Sequence, residues 1–146
     1  MCKENYDERQ LKIRGDVYRH CWIFTIILML INFFITGFGK IIWAQASFMF
    51  ILICTASIAF GSIEMLLRDV YVGRDSWRMY AIPFCLLVFG LWTFFLSLHD
   101  KEVLISEGML SRGGVTLLNA IMFVLVGIVG VYKFIKNRRT GSKEAD

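Results

Sequence analysis

Charge is missing from most of this 146-residue chain. The stretches 21–39, 41–63, 79–98 and 115–132 contain no Asp, Glu, Lys or Arg, and each is 18 to 23 residues long. Runs of that length leave no water-facing side for a soluble fold, whereas crossing a bilayer core takes about 20 helical residues. Proline occurs once, and the only histidines, His20 and His99, are expected on opposite faces of the membrane, too far apart to share a metal. The four cysteines, Cys2, Cys21, Cys54 and Cys85, lack ligand spacing, and none falls in an external loop, where a disulfide would persist. No GxSxG, HExxH or CxxC motif is present, and Gly39-Lys40 lacks the remainder of a phosphate loop. These absences argue against an enzyme, and no cofactor, metal or catalytic residue is expected.

What remains is apolar and aromatic: 57% of residues are hydrophobic and 15% are Phe, Trp or Tyr. With lipid as solvent, helices apolar all round are allowed, and each pairs its backbone amides internally. The runs are too continuous for barrel strands, which alternate over about 10 residues. The expected fold is an all-α membrane protein with four transmembrane helices in an antiparallel bundle. Its spans fall at about 21–39, 41–67, 79–98 and 115–135.

Thirteen of the 16 cations precede the first span, lie between the second and third, or follow the fourth; only Lys40, Lys101 and Arg112 fall on the other side. Basic residues stay on the cytoplasmic face, so both termini are expected inside a multi-pass cell-membrane protein. Trp22, Trp77, Tyr80 and Tyr132 would mark the inner interface, Trp43 and Trp92 the outer one. The net charge of +4 is explained by headgroup attraction beside the spans. No soluble segment is long enough to present a basic face to nucleic acid. The lipid bilayer is the expected partner, with a second membrane protein or a homodimer as further possibilities.

Residues 1–20 read as a cytoplasmic leader, capped by Asp7 and able to lie along the membrane surface, with Gly15 weakening it as a continuous helix. The first hairpin is expected to turn near Gly37-Phe38-Gly39-Lys40. Asp75 or Ser76 would cap the third span, and Pro83 would kink its first turns. The longest external segment, 99–114, holds Asp100, Glu102 and Glu107, with a short surface helix expected near 101–110. Residues 136–146 form a polar cytoplasmic tail.

Polar groups inside spans are costly, so the few present are candidate sites. Glu64 is the only acidic residue in an extended span, and Arg68 follows one helical turn later. This is either a structural ion pair or a proton- or cation-coupling carboxylate. Ser57, Gly61 and Glu64 share a face, directing Glu64 into the bundle. Asn32, Thr36, Gln45, Thr93 and Asn119 map to the outer half, with Asn32 and Asn119 within about 5 Å of one depth. They serve either as polar glue between helices or as the lining of an outward-open cavity for a small ligand. Ser57 with Gly61, and Gly127 with Gly130, permit close backbone approach within the bundle or across a homodimer seam.

The stretch Asp7-Glu8-Arg9-Gln10, with Arg14-Gly15 before the first span, resembles the opening of small four-helix membrane proteins of Firmicutes, a family of unknown function. The region from Glu64 to Arg74 and Glu107-Gly108-Met109-Leu110-Ser111 are similar as well. The resemblance implies a bacterial cell-membrane protein encoded beside a small helix-turn-helix regulator, and supplies no catalytic residues. The leading expectation is a non-enzymatic accessory, sensory or regulatory subunit acting through a partner. The alternative is a small oligomeric transporter or channel using Glu64 or the outer polar layer.

Overall fold

The computed structural model describes residues 8–70, 76–99, 104–106 and 108–141. Four helices form: α1 (Glu8–Gly37), α2 (Ala46–Leu67), α3 (Ser76–His99) and α4 (Arg112–Gly141), with strands β1 (Ile105–Ser106) and β2 (Met109–Leu110) between the last two. All four helices are long and apolar enough to cross a membrane. At about 1.5 Å per residue the shortest, α2, spans about 33 Å, and α1 and α4 about 45 Å. The fold is therefore an all-α, four-helix membrane bundle. The start of α1 and the ends of α2 and α4 lie at one end of it (the terminal end), where His20 meets Glu64 and Lys133 meets Leu67; the α1–α2 loop and the β1–β2 pair lie at the other (the loop end).

The helices form a row rather than a closed square. Substantial contact runs from α1 to α2, from α2 to α4, and from α4 to α3, the last being the most extensive. The core is correspondingly small: Ala59 and Leu66 of α2 meet Val126 of α4, with Ile63, Leu86, Met122 and Val129 packed around them. Large apolar side chains such as Trp22, Phe33, Phe50, Trp92 and Phe95 point outward. That inside-out distribution suits a chain whose exterior solvent is hydrocarbon.

Close approach holds α3 to α4. A Cβ placed on Gly127 would come 2.4 Å from Leu87 Cβ, and one on Gly130 would come 2.4 Å from Pro83 Cβ. In return Gly90 of α3 receives Phe123 and Val124 of α4, 3.0 Å from its own Cβ position. Pro83 lies inside α3 and is buried in this seam. The paired glycines thus serve packing within the chain.

Helix boundaries depart from expectation at several places. The expected leader and first span form one helix from Glu8 through Gly37, because Gly15 has open space around it and lowers helix stability by only about 1 kcal/mol. α2 begins at Ala46 rather than at residue 41. Residues 41–45 are instead drawn into the loop-end structure: Leu110 N–H donates to Trp43 O at 2.7 Å, and Ala44 bridges Leu110. The expected surface helix near 101–110 is replaced by the antiparallel β1–β2 pair, with Gly108 at φ 77° in its turn. Here two strands satisfy each other's backbone groups and those of the α1–α2 loop. α4 starts at Arg112, its first turn capped by Ser111 Oγ accepting from Gly114 N–H at 3.3 Å, and continues through Gly141 into the expected tail. The Asp7 cap, the Asp75 and Ser76 side chains, the Trp77 and Tyr80 rings, the external carboxylates Asp100, Glu102 and Glu107, Cys2 and residues 142–146 lie outside the described residues.

Gly127→Ala is expected to destabilise the protein by about 1–3 kcal/mol, because the methyl group meets Leu87 backbone and side chain with nowhere to go. Gly15→Ala, with nothing near it, is expected to be neutral or stabilising by up to about 1 kcal/mol. Unfolding followed by circular dichroism in detergent micelles compares the two.

Candidate functional site

Two polar clusters occupy opposite ends of the bundle. At the terminal end, α2 closes in a Schellman motif. Val70 N–H donates to Met65 O at 3.0 Å and Asp69 N–H to Leu66 O at 3.3 Å, with Asp69 in the left-handed region at φ 57° and Val70 buried beneath. The carbonyl of Leu67 remains at the negative end of the helix dipole. Lys133 of α4, only 8% exposed, donates from Nζ to that carbonyl at 3.2 Å and pairs with Asp69 Oδ2 at 2.8 Å. Lys133 follows Val126 by seven residues, on the stripe of α4 that packs on α2.

One turn back along α2, Glu64 Oε1 receives two neighbours. Arg68 Nη2 lies 2.7 Å away on the same helix, and His20 Nδ1 of α1 lies 2.8 Å away. Glu64 is 15% exposed and Arg68 43%, so the carboxylate is anchored inside while the guanidinium reaches outward. Glu64 Oε2 is buried with no hydrogen-bond partner among the described residues. The Ser57–Gly61–Glu64 face is directed at α1 rather than at the middle of the bundle. Cys21 Sγ donates to Ser57 O at 3.2 Å, and a Cβ on Gly61 would come 3.3 Å from that sulfur. The terminal-end cluster therefore links α1 to α2 through the His20–Glu64 hydrogen bond and α2 to α4 through the Lys133–Asp69 ion pair and a helix cap.

At the loop end the expected polar layer divides. Asn32 Oδ1 accepts from Trp43 Nε1 at 2.9 Å, tying α1 to the loop that follows it. Thr36 donates back to Asn32 O at 2.8 Å, and Gln45 is exposed just before α2. A groove of about 500 Å³ lies between α1 and α2, lined by Asn32 and Thr36 together with Met29, Phe33, Met49 and Ile53. Thr93 is on α3, at the far end of the row, and donates to its own helix at Phe89 O and Gly90 O. Asn119 is on α4, with Oδ1 buried and unpartnered among the described residues. No hydrogen bond joins Asn32 to Asn119 or Thr93 among the described residues, so one layer across four helices does not form.

His20, Asp69, Lys133 and Trp43 escaped the reading of the sequence as site residues. The available signals were a lysine in register with an apolar packing stripe, and a histidine in register with Val17 and Phe24 on the buried side of α1. Among the described residues, no three His, Cys, Asp or Glu side chains converge as metal ligands. Compared with known protein families, curated proteins and solved structures, the chain matches none.

Lys133→Met is expected to lower stability by about 1.5–3 kcal/mol, through loss of charged hydrogen bonds to Leu67 O and Asp69. Lys133→Arg should recover part of that loss, since a cation again reaches the end of α2. Equilibrium unfolding in micelles measures both.

Proposed function

We propose that this chain is a non-enzymatic accessory, sensory or regulatory subunit of a bacterial cell membrane that acts through a membrane-embedded partner. The observation that carries the reading is the open row of helices. α1 and α3 form its two ends, and each covers only one side against the rest of the chain. Their outer faces carry large uncovered side chains, Trp22, Ile26 and Leu30 on α1 and Phe84, Trp92 and Phe95 on α3. Both termini are assigned to the cytoplasm, because 13 of the 16 cations accompany that end.

The second reading, a small oligomeric transporter or channel, draws support from the unpartnered Glu64 Oε2 and Asn119 Oδ1. Against it, Glu64 is already neutralised by Arg68 and contacted by His20. These pairs lie near the end of α2, not along a continuous polar path.

Photo-crosslinking residues placed at Ile26 and Phe95 in native membranes should capture a specific protein or a second copy of this chain. Crosslinks to lipid alone from both positions would remove the partner reading. Flux in proteoliposomes that falls with Glu64→Gln or Asn119→Ala would favour transport instead.

A further inference from the structure

The groove between α1 and α2 has a polarity gradient along its length. On α1 the lining runs from Thr36 through Asn32 and Phe33 to Met29, and on α2 from Ala46 through Met49 and Phe50 to Ile53. Each path covers eight residues, seven steps or about 10 Å along the helix. Side-chain polarity is confined to the loop-end half, at Thr36 and Asn32, and everything deeper is apolar. Above this mouth lies the α1–α2 loop, which carries the exposed cation Lys40 between the lining residues Thr36 and Ile42, and the exposed amide Gln45 between the lining residues Ala44 and Ala46.

The mouth is held by main-chain hydrogen bonds and close contacts. Gly39 N–H donates to Phe34 O at 3.1 Å and Ile41 N–H to Ile35 O at 3.3 Å, with Lys40 held at φ 52°. A side chain at Gly39 would strike Ile35 O at 2.6 Å. Trp43 is fixed by its bond to Asn32 and by Leu110 N–H donating to its carbonyl, and Ala44 is fully buried in the bridge to β2. Phe33, Ile42 and Phe50 are all more than half exposed, so the groove is open along its side, where an acyl chain can enter from the bilayer. Ligand sites of about 300–1,000 Å³ are typically apolar with a few placed polar groups, and this groove has both the size and the pattern.

The geometry points to a phospholipid site: the groove takes one acyl chain of an anionic phospholipid from the loop-end leaflet, the Asn32 amide and Thr36 hydroxyl face its ester region, and Lys40 pairs with its phosphate. Charge complementarity selects the headgroup, because Lys40 is the cation of the loop that forms the mouth. The apolar depth selects a hydrocarbon tail over a free phosphate or a soluble anion. This assignment stands apart from the partner reading, since it concerns a lipid and the inner side of α1.

The test uses the full chain reconstituted in vesicles of phosphatidylglycerol and phosphatidylcholine, extracted in mild detergent and weighed by native mass spectrometry. The expected result is one retained phosphatidylglycerol per chain in preference to phosphatidylcholine. Ala46→Trp, which fills the mouth, and Lys40→Glu, which reverses its charge on an exposed loop, should each reduce retention about tenfold, whereas Phe95→Trp on the uncovered face of α3 should not. Matching melting curves check that the variants fold, and Lys40→Glu, at an exposed position, carries the test if Ala46→Trp does not. Equal retention in Ala46→Trp and Phe95→Trp would mean ordinary surface lipid and overturn the site. No preference for phosphatidylglycerol, or a doubled protein mass with lipid absent, would overturn it as well.

Discussion

Hydrocarbon is as good a solvent for a leucine as another leucine is, so helices in a membrane gain little by hiding apolar surface against each other. Association must come from close contact and from polar groups that lipid cannot satisfy. α4 supplies both. Gly127 and Gly130 bring its backbone against Leu87 and Pro83 of α3, and Lys133 fastens its other side to the end of α2. These two devices add to the small core of Ala59, Leu66 and Val126 in keeping α3 and α2 beside α4. The row of helices draws on this double attachment, and α1 joins it mainly along α2.

The same reasoning explains why the charged residues lie where they do. A carboxylate or ammonium inside a span is expensive alone, and an isolated pair still loses hydration. At the terminal end of α2 the cost is reduced in three ways at once. Glu64 has two partners, Lys133 has a carbonyl as well as Asp69, and Arg68 and Asp69 extend toward solvent. The Schellman turn is part of the device, because the left-handed Asp69 both ends the helix and aims its carboxylate at α4. A lysine at a helix C-terminus also meets the negative end of the dipole, worth about 0.3–1 kcal/mol at exposed sites and more when partly buried. These are stabilising contacts among helices.

The four helices were legible because the signal that defines them, absence of charge over about 20 residues, is local. Ends and neighbours were not, because they depend on distant segments. Nothing near residue 41 says that α2 must wait until Ala46; the reason is Leu110, which takes the backbone of Trp43 and Ala44 into a bridge. The stretch 105–110 showed no alternation long enough to announce a hairpin, and its strands are two residues each. Glu64 and Arg68 are four apart and could be paired on paper, whereas His20 is 44 residues from Glu64 and its part depends on which helix α1 chooses. The outer polar residues fall in one half of the bilayer by their numbering, Asn32 and Asn119 at one depth. Depth alone does not bring them together, since Thr93 and Asn32 lie on opposite ends of the row.

The two ends of the bundle are therefore built on different principles. At the terminal end, polar and charged side chains couple three helices, and the coupling is specific to individual residues. At the loop end the main chain does the work: the α1–α2 loop and the β1–β2 pair share hydrogen bonds, and Gly114 of α4 leaves room for Leu104 O only 2.6 Å from where its Cβ would be. This backbone clasp connects both hairpins without requiring α1 to pack along α3 or α4. α1 is held near each end, by His20 and Cys21 at one and by Asn32 and its following loop at the other. Between those attachments α1 stacks Phe24 on Phe60 at 4.6 Å, and from Met29 to Thr36 it lines the groove it shares with α2. A space of that kind follows from fixing a helix by its ends against a loop that begins the next helix five residues late.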